Sequence, residues 1–111
     1  MIFMYYTYML RCEDNSIYTG ITTDLNRRMK EHFQKSEKCA KYTFRHTAKK
    51  LETAWQTDNR ALASKLEYHL KSLSKAQKEA LVINPCKLEE YLLDKIDSTY
   101  YKPIKPSIYQ S

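Results

Sequence analysis

The chain contains one glycine, Gly20, two residues after Tyr18 and twelve after Tyr8. Two phenols around a position with no side chain describe a place that a large ligand must approach closely. The plainer reading is a hairpin of aromatic-rich strands with a small residue at a bulge. Three other reactive groups follow at wider spacing: the Arg28 guanidinium, the His32 imidazole one helical turn later, and the Glu67 carboxylate. Net charge narrows the ligand. The chain of 111 residues carries +6, with 15 Lys/Arg against 9 Asp/Glu in residues 1–83 and four of each in residues 84–111. A basic domain favours polyanions, either nucleic acid or an anionic membrane surface.

These groups act together only if the local structure brings them to one place. Residues 4–12 are aromatic, β-branched or apolar, which predicts a strand, and "SIYTGITT" predicts a second. If the loop has an odd count, such as Glu13-Asp14-Asn15 with Asn15 left-handed, the even-numbered residues of both strands share one face. Tyr6, Tyr8, Tyr18 and Gly20 then point one way, with Gly20 leaving an open floor among tyrosines. Thr23 or Asp24 caps a helix from Leu25 to about Gln34. Leu25, Met29 and Phe33 form its buried stripe, Arg28 and His32 its margin. Arg27 points nearly opposite, toward water, in a loose pair with Glu31. From the margin, Arg28 can lie along the sheet and present its guanidinium.

Residues 35–50 are polar and basic with Tyr42 and Phe44 interleaved, and they read as a loop. Lys41, Arg45, Lys49 and Lys50 are candidates to track a phosphate backbone, although each alone is as well read as a solvated connector. Residues 51–57 predict a third strand, with Leu51, Thr53 and Trp55 alternating on one face. Asp58 caps a helix over residues 59–73 with a stripe of Leu62, Leu66, Leu70 and Leu73. Glu67 lies just outside that stripe, and His69 within it reads as a structural histidine. Ser74 with Gln77 makes a capping box for a short helix ending near Ile83. After Asn84-Pro85, residues 88–96 are spaced for a last helix, and an extended tail follows from Ser98.

The expectation is an α+β domain over residues 1–83, a three-stranded antiparallel sheet flanked by helices. Residues 84–111 add a C-terminal helix and extended tail. Cys12, Cys39 and Cys86 show neither CxxC nor zinc spacing, which points to reduced thiols in a cytoplasmic compartment. "MIFMYYTYML" is too short to span a bilayer and reads better as a buried strand, so no membrane partner is expected.

The order and spacing of these residues resemble the GIY-YIG nuclease family, in its small stand-alone bacterial branch. The first signature element stands here as Tyr6-Thr7-Tyr8 and the second as Tyr18-Thr19-Gly20. "YTGITTDLNRRMKEH" is similar to the family's run from strand to first helix. "KYT" at 41–43 and "LEYHLKSLSKAQKEAL" at 66–81 resemble the small branch. The resemblance covers roughly residues 4–83. The signature's Gly-Ile is Tyr6-Thr7 in this chain and its second Ile is Thr19, departures that bear on substrate fit.

The resemblance implies a metal-dependent endonuclease that hydrolyses phosphodiester bonds in DNA, including branched or single-stranded forms, with RNA not excluded. It implies a catalytic set of Tyr8, Tyr18, Arg28, His32 and Glu67, with Gly20 as the signature glycine. Glu67 would hold one Mg²⁺ or Mn²⁺ ion, a hard cation that takes few protein oxygens. Arg28 would neutralise the phosphate in the transition state. One tyrosine, which one being open, would deprotonate or orient water, although a phenol of pKa about 10 needs a nearby cation to do so. His32 would orient the water, relay a proton or contact phosphate. A minimal domain of this kind implies low sequence specificity. Two rivals stand beside this reading. One is a nucleic-acid-binding module with a vestigial site. The other is a protein-interaction adaptor acting through residues 84–111, where Tyr100, Tyr101 and Tyr109 could also stack on unpaired bases.

Overall fold

The computed structural model of the chain describes residues 4–34 and 41–104, without the side chains of residues 43 and 44. Cys39 and Tyr109 lie outside the described residues. The order of elements is β1 (Tyr5–Cys12), β2 (Ile17–Thr22), α1 (Leu25–Phe33), α2 (Lys41–Arg45), β3 (Ala48–Thr57), α3 (Arg60–Lys71), α4 (Lys75–Ile83), α5 (Leu88–Tyr91) and β4 (Lys102–Ile104). The strands form one antiparallel sheet in the order β2-β1-β3-β4. The fold is α+β as expected, with a short fourth strand beyond the expected three. A five-residue helix, α2, stands where a loop was expected.

The β1–β2 hairpin sets the register on which the site depends. Asn15 adopts φ 70°, and the Cys12 N–H donates to the Ser16 carbonyl at 2.9 Å. Asparagine tolerates this left-handed geometry better than most residues. The three-residue loop pairs Tyr8 with Gly20 and Leu10 with Tyr18. Even-numbered residues of both strands therefore share the front face. There Tyr8, Leu10, Leu51 and Ala54 pack against Leu25 and Met29 of α1. Met9 and Trp55 lie on the back face with Leu66 and Leu70 of α3 and Leu81 of α4. The expected alternation in β3 fails at a bulge. Leu10 pairs with Leu51 but Met9 with Thr53, so Glu52 is an extra residue. The shift turns Leu51 to the front and leaves Trp55 at the back.

Residues 84–104 close the back face. Leu88, Leu92, Ile96 and Tyr101 join the cluster of Met9 and Trp55, and Tyr101 Oη donates to the Leu62 carbonyl at 2.7 Å. The expected last helix is only the four residues of α5, flanked by 3-10 turns at Pro85–Lys87 and Ser98–Tyr100. Tyr101 is core rather than a stacking platform. Among the described residues no helix is long and apolar enough to cross a membrane.

Helix ends follow local chemistry. Asp24 caps α1 by accepting from the Arg27 N–H, and Ser74 and Gln77 form the full capping box of α4. Asn59, not Asp58, caps α3. Its backbone is extended and its side chain accepts from the Leu62 N–H at 2.8 Å, so the helix begins at Arg60.

Candidate active site

Tyr8 is the centre of the front-face cluster. Its ring is fully buried and lies across Gly20 on the neighbouring strand. A Cβ built on Gly20 would stand 2.6 Å from Tyr8 Oη, 2.8 Å from Tyr8 Cζ and 2.9 Å from Tyr18 Cε2. The floor at Gly20 is therefore filled by phenol, and the glycine is needed so that the two tyrosines can meet. Their ring centroids are 6.1 Å apart.

α1 supplies the next two groups. Arg28 Nε donates to Tyr8 Oη at 3.4 Å, and His32 Nε2 lies 2.8 Å from the same oxygen. Arginine only donates. Among the described residues His32 is the one acceptor beside the phenol, so the phenol's own hydrogen goes to His32 Nε2. This makes a directed chain from Arg28 through Tyr8 to a neutral His32. Burial, then the Arg28 charge, lowers the His32 pKa to about 4, which keeps the imidazole neutral at pH 7. Burial also pushes the Tyr8 phenol well above the usual tyrosine range; the Tyr18 phenol adds to the rise, and Arg28 opposes it. His32, expected on the helix margin, is fully buried and sits 5.5 Å from the Tyr18 ring.

Tyr18 continues the cluster toward solvent. It is partly exposed, and its ring lies 5.6 Å from Tyr42 of α2, which stacks on His46 at 4.3 Å. Asp14 in the hairpin loop pairs with His46. Lys41 and Arg45 line a cavity of about 310 Å³ with Tyr42 and His46, so these two cations stand beside the tyrosines. Lys49 and Lys50 are placed differently. Lys49 is the extra residue at the second irregularity of β3. Lys50 pairs with Glu52 at 3.5 Å in the network around Arg11.

Glu67 approaches from the other side. α3 packs on the back face, with Thr7 Oγ1 donating to the Ala63 carbonyl at 2.9 Å. The Glu67 carboxylate pairs with Lys71 at 3.4 Å and is one-quarter exposed. It makes no hydrogen bond to the tyrosine cluster among the described residues, yet its charge is felt at Tyr8 and raises that phenol's pKa. Among the described residues no three His, Cys, Asp or Glu side chains form a metal cage. A single, partly exposed carboxylate whose described ion pair is with the exposed Lys71 is the kind of oxygen ligand a hard, largely hydrated divalent cation takes.

Two groups at the site escaped the sequence reading. Glu31 binds Arg28 Nη1 at 2.8 Å, whereas its i,i+4 spacing had suggested only a loose partner for Arg27, which stands at 4.0 Å. Arg60 lines a cleft of about 320 Å³ with Tyr5, Arg27, Arg28 and Glu31. No local signal marks Arg60, because the cleft exists only where the starts of α1 and α3 meet.

A family model described as the GIY-YIG catalytic domain matches residues 4–80. A UPF0213 protein of Fusobacterium nucleatum is 46% identical over 81 residues, which is 73% of this chain and 79% of that one. A UPF0213 protein of Halalkalibacterium halodurans is 44% identical over 78 residues, 70% of this chain and 81% of that one. The solution NMR structure of a UPF0213 protein from Bacillus halodurans is similar over 71% of this chain and 82% of that chain, at 41% identity and a TM-score of 0.45.

Proposed function

The chain belongs to the GIY-YIG catalytic-domain family, and from that premise we propose that it is a metal-dependent endonuclease hydrolysing phosphodiester bonds in DNA with low sequence specificity. The observation that carries this reading is the directed chain Arg28–Tyr8–His32 beside Tyr18. A guanidinium, two phenols and a neutral imidazole meet there, and the guanidinium also lines the neighbouring cleft.

Arg28 lies along the cleft wall and binds the phosphate, stabilising charge as it builds on the non-bridging oxygens. Tyr8 is not the base. Its burial keeps the proton on the phenol, and it holds the Arg28 and His32 side chains at fixed positions through one oxygen. Tyr18 is the phenol that water reaches, so it takes or orients the proton of the attacking water. His32 stays neutral and fixes Tyr8. Glu67 would hold the Mg²⁺ or Mn²⁺ ion, whose positive charge would polarise the phosphate and stabilise the departing oxygen. We place the catalytic unit in residues 1–83, with residues 84–104 as the packed cover of its back face. The two thiols described, Cys12 and Cys86, are free, which favours a cytoplasmic setting.

The test is a panel of single-stranded, duplex, branched and RNA substrates, with wild type and Glu67→Ala side by side, with Mg²⁺ or Mn²⁺ and with EDTA. Metal-dependent cleavage that Glu67→Ala loses, with binding retained, supports the reading. Binding without cleavage of any substrate would leave a nucleic-acid-binding module.

A further inference from the structure

The cleft between α1 and the start of α3 adjoins the hydrogen-bonded chain just described and shares Arg28 with it. It has about 320 Å³ of space, and its walls carry Arg27, Arg28 and Arg60 against one carboxylate, Glu31. Two of those arginines have work within the fold. Arg28 bonds Tyr8 and Glu31, and Arg27 stands 4.0 Å from Glu31. Arg60 has no ion pair among the described residues and is exposed. It is also the first residue of α3, where the positive end of the helix disfavours a cation.

We propose that this cleft is a second phosphate site, in which Arg60 and Arg27 hold the DNA strand next to the phosphate that Arg28 engages. The inference rests on the nuclease reading and adds to it the side from which the strand leaves the reacting centre. Arg28 lines the same cleft as Arg27 and Arg60, so the phosphate it engages and the one they hold are neighbours on one strand. A guanidinium fork matches a phosphodiester in geometry and charge. Three forks facing one carboxylate leave the cleft with a net positive charge, so an anion binds there without displacing Glu31 from both of its partners.

The test is binding, not cleavage. A labelled single-stranded DNA oligonucleotide is titrated in EDTA, between about 50 and 200 mM salt, against wild type, Arg60→Gln and Lys95→Gln. Lys95 is the matched loss of charge, beside Ile96 in the back-face cluster. Arg60→Gln is expected to weaken binding roughly threefold to tenfold at the lowest salt and to flatten the slope of log affinity against log salt by about 0.7, the loss of one phosphate contact. Lys95→Gln is expected to leave the slope unchanged. Inorganic phosphate alone at equal concentration is expected to compete weakly, since the site is part of a strand path; full displacement by inorganic phosphate would make it a free-anion site and overturn the proposal. Equal slopes for wild type and Arg60→Gln would overturn it too, while leaving the nuclease reading to the Glu67→Ala cleavage assay. A wild-type protein that binds no oligonucleotide would overturn both.

Discussion

Arg11 and Arg28 lie against opposite faces of one sheet, and they are held in different ways. Arg11 is on the back, with its side chain 10% exposed. Its Nε donates to Glu52 at 3.0 Å, its Nη1 and Nη2 to Glu79 at 2.6 and 2.5 Å, and its Nη1 also to the Asn15 carbonyl and side chain. Glu79 answers with a pKa lowered to about 2, chiefly by the Arg11 hydrogen bond. These bonds tie the hairpin, β3 and α4 together. Arg28 is on the front, where its described bonds go to the Glu31 carboxylate and the Tyr8 phenol beside an open cleft. A guanidinium committed to two carboxylates on separate elements is a structural tie. One held by a neighbour on its own helix, at the edge of a cleft, can exchange that neighbour for a phosphate.

Substitution of each arginine tests the contrast most sharply. Arg28→Gln is expected to lower the cleavage rate by about 10²–10³, the scale of losing one transition-state donor, with little change in urea denaturation. Arg11→Gln is expected to reverse the pattern. It leaves Glu52 with Lys50 and Glu79 with Lys75 as their remaining counter-charges and costs about 2 kcal/mol of stability, below the fully buried range because Glu79 is one-third exposed. Cleavage per folded molecule should hold. If Arg11→Gln loses cleavage at full stability, the division of labour between the faces is wrong.

The next effect is a pH dependence, and it belongs to the front face. His32 has its folded pKa lowered from 6.5 to about 4 by burial. The unfolded chain therefore takes up its proton first as pH falls. The stabilising contribution is complete above about pH 6.5 and is lost as pH falls through the folded value near 4, at most about 3 kcal/mol. Denaturation of wild type and His32→Gln at pH 7 and pH 4.5 isolates the term, because both share every carboxylate. A variant that loses as much stability on acidification as wild type would show that His32 is not the titrating group.

How far the sequence revealed these two faces depends on how local each feature is. The hairpin face was legible, since a period of two and the left-handed Asn15 settle which side Tyr8, Tyr18 and Gly20 occupy. The α1 stripe was legible for the same kind of reason. The Glu52 bulge was not, because nothing in its residue types announces an extra residue, and it moved Leu51 to the front. β4 is three residues long and exists through its pairing with β3. Lys50, a candidate phosphate contact, also pairs with Glu52, a pairing that the bulge sets and residue types do not announce. The burial of Tyr8 depends on α1 folding back over the sheet, so a position that reads as open in one strand is filled in three dimensions.

Gly20 sharpens the same point at smaller scale. Gly20→Ala puts a methyl group 2.6 Å from Tyr8 Oη, and Tyr8 cannot swing away without breaking its bonds to Arg28 and His32. The expected cost is about 1–3 kcal/mol of overpacking, with cleavage reduced at least tenfold because Arg28 loses its phenol partner. Gly20→Val should do the same more severely. A folded Gly20→Ala protein with full activity would mean that the Arg28–Tyr8–His32 chain plays no part in the reaction.

The smallest effect concerns the neighbour that Arg28 must give up. Glu31 occupies the guanidinium at 2.8 Å, and its negative charge faces any phosphate that enters the cleft. Removing that charge helps binding and harms positioning, two effects of opposite sign that separate assays can resolve. Glu31→Gln is expected to tighten single-stranded DNA binding in EDTA about twofold to threefold, a gain that shrinks with added salt as screening would require. The maximal cleavage rate is expected to fall by less than tenfold, since Tyr8 still holds Arg28 from the sheet side. Weaker binding in Glu31→Gln would mean that Glu31 is needed to aim Arg28 at the phosphate, which would place it with the structural carboxylates Glu52 and Glu79 rather than with the exchangeable ones.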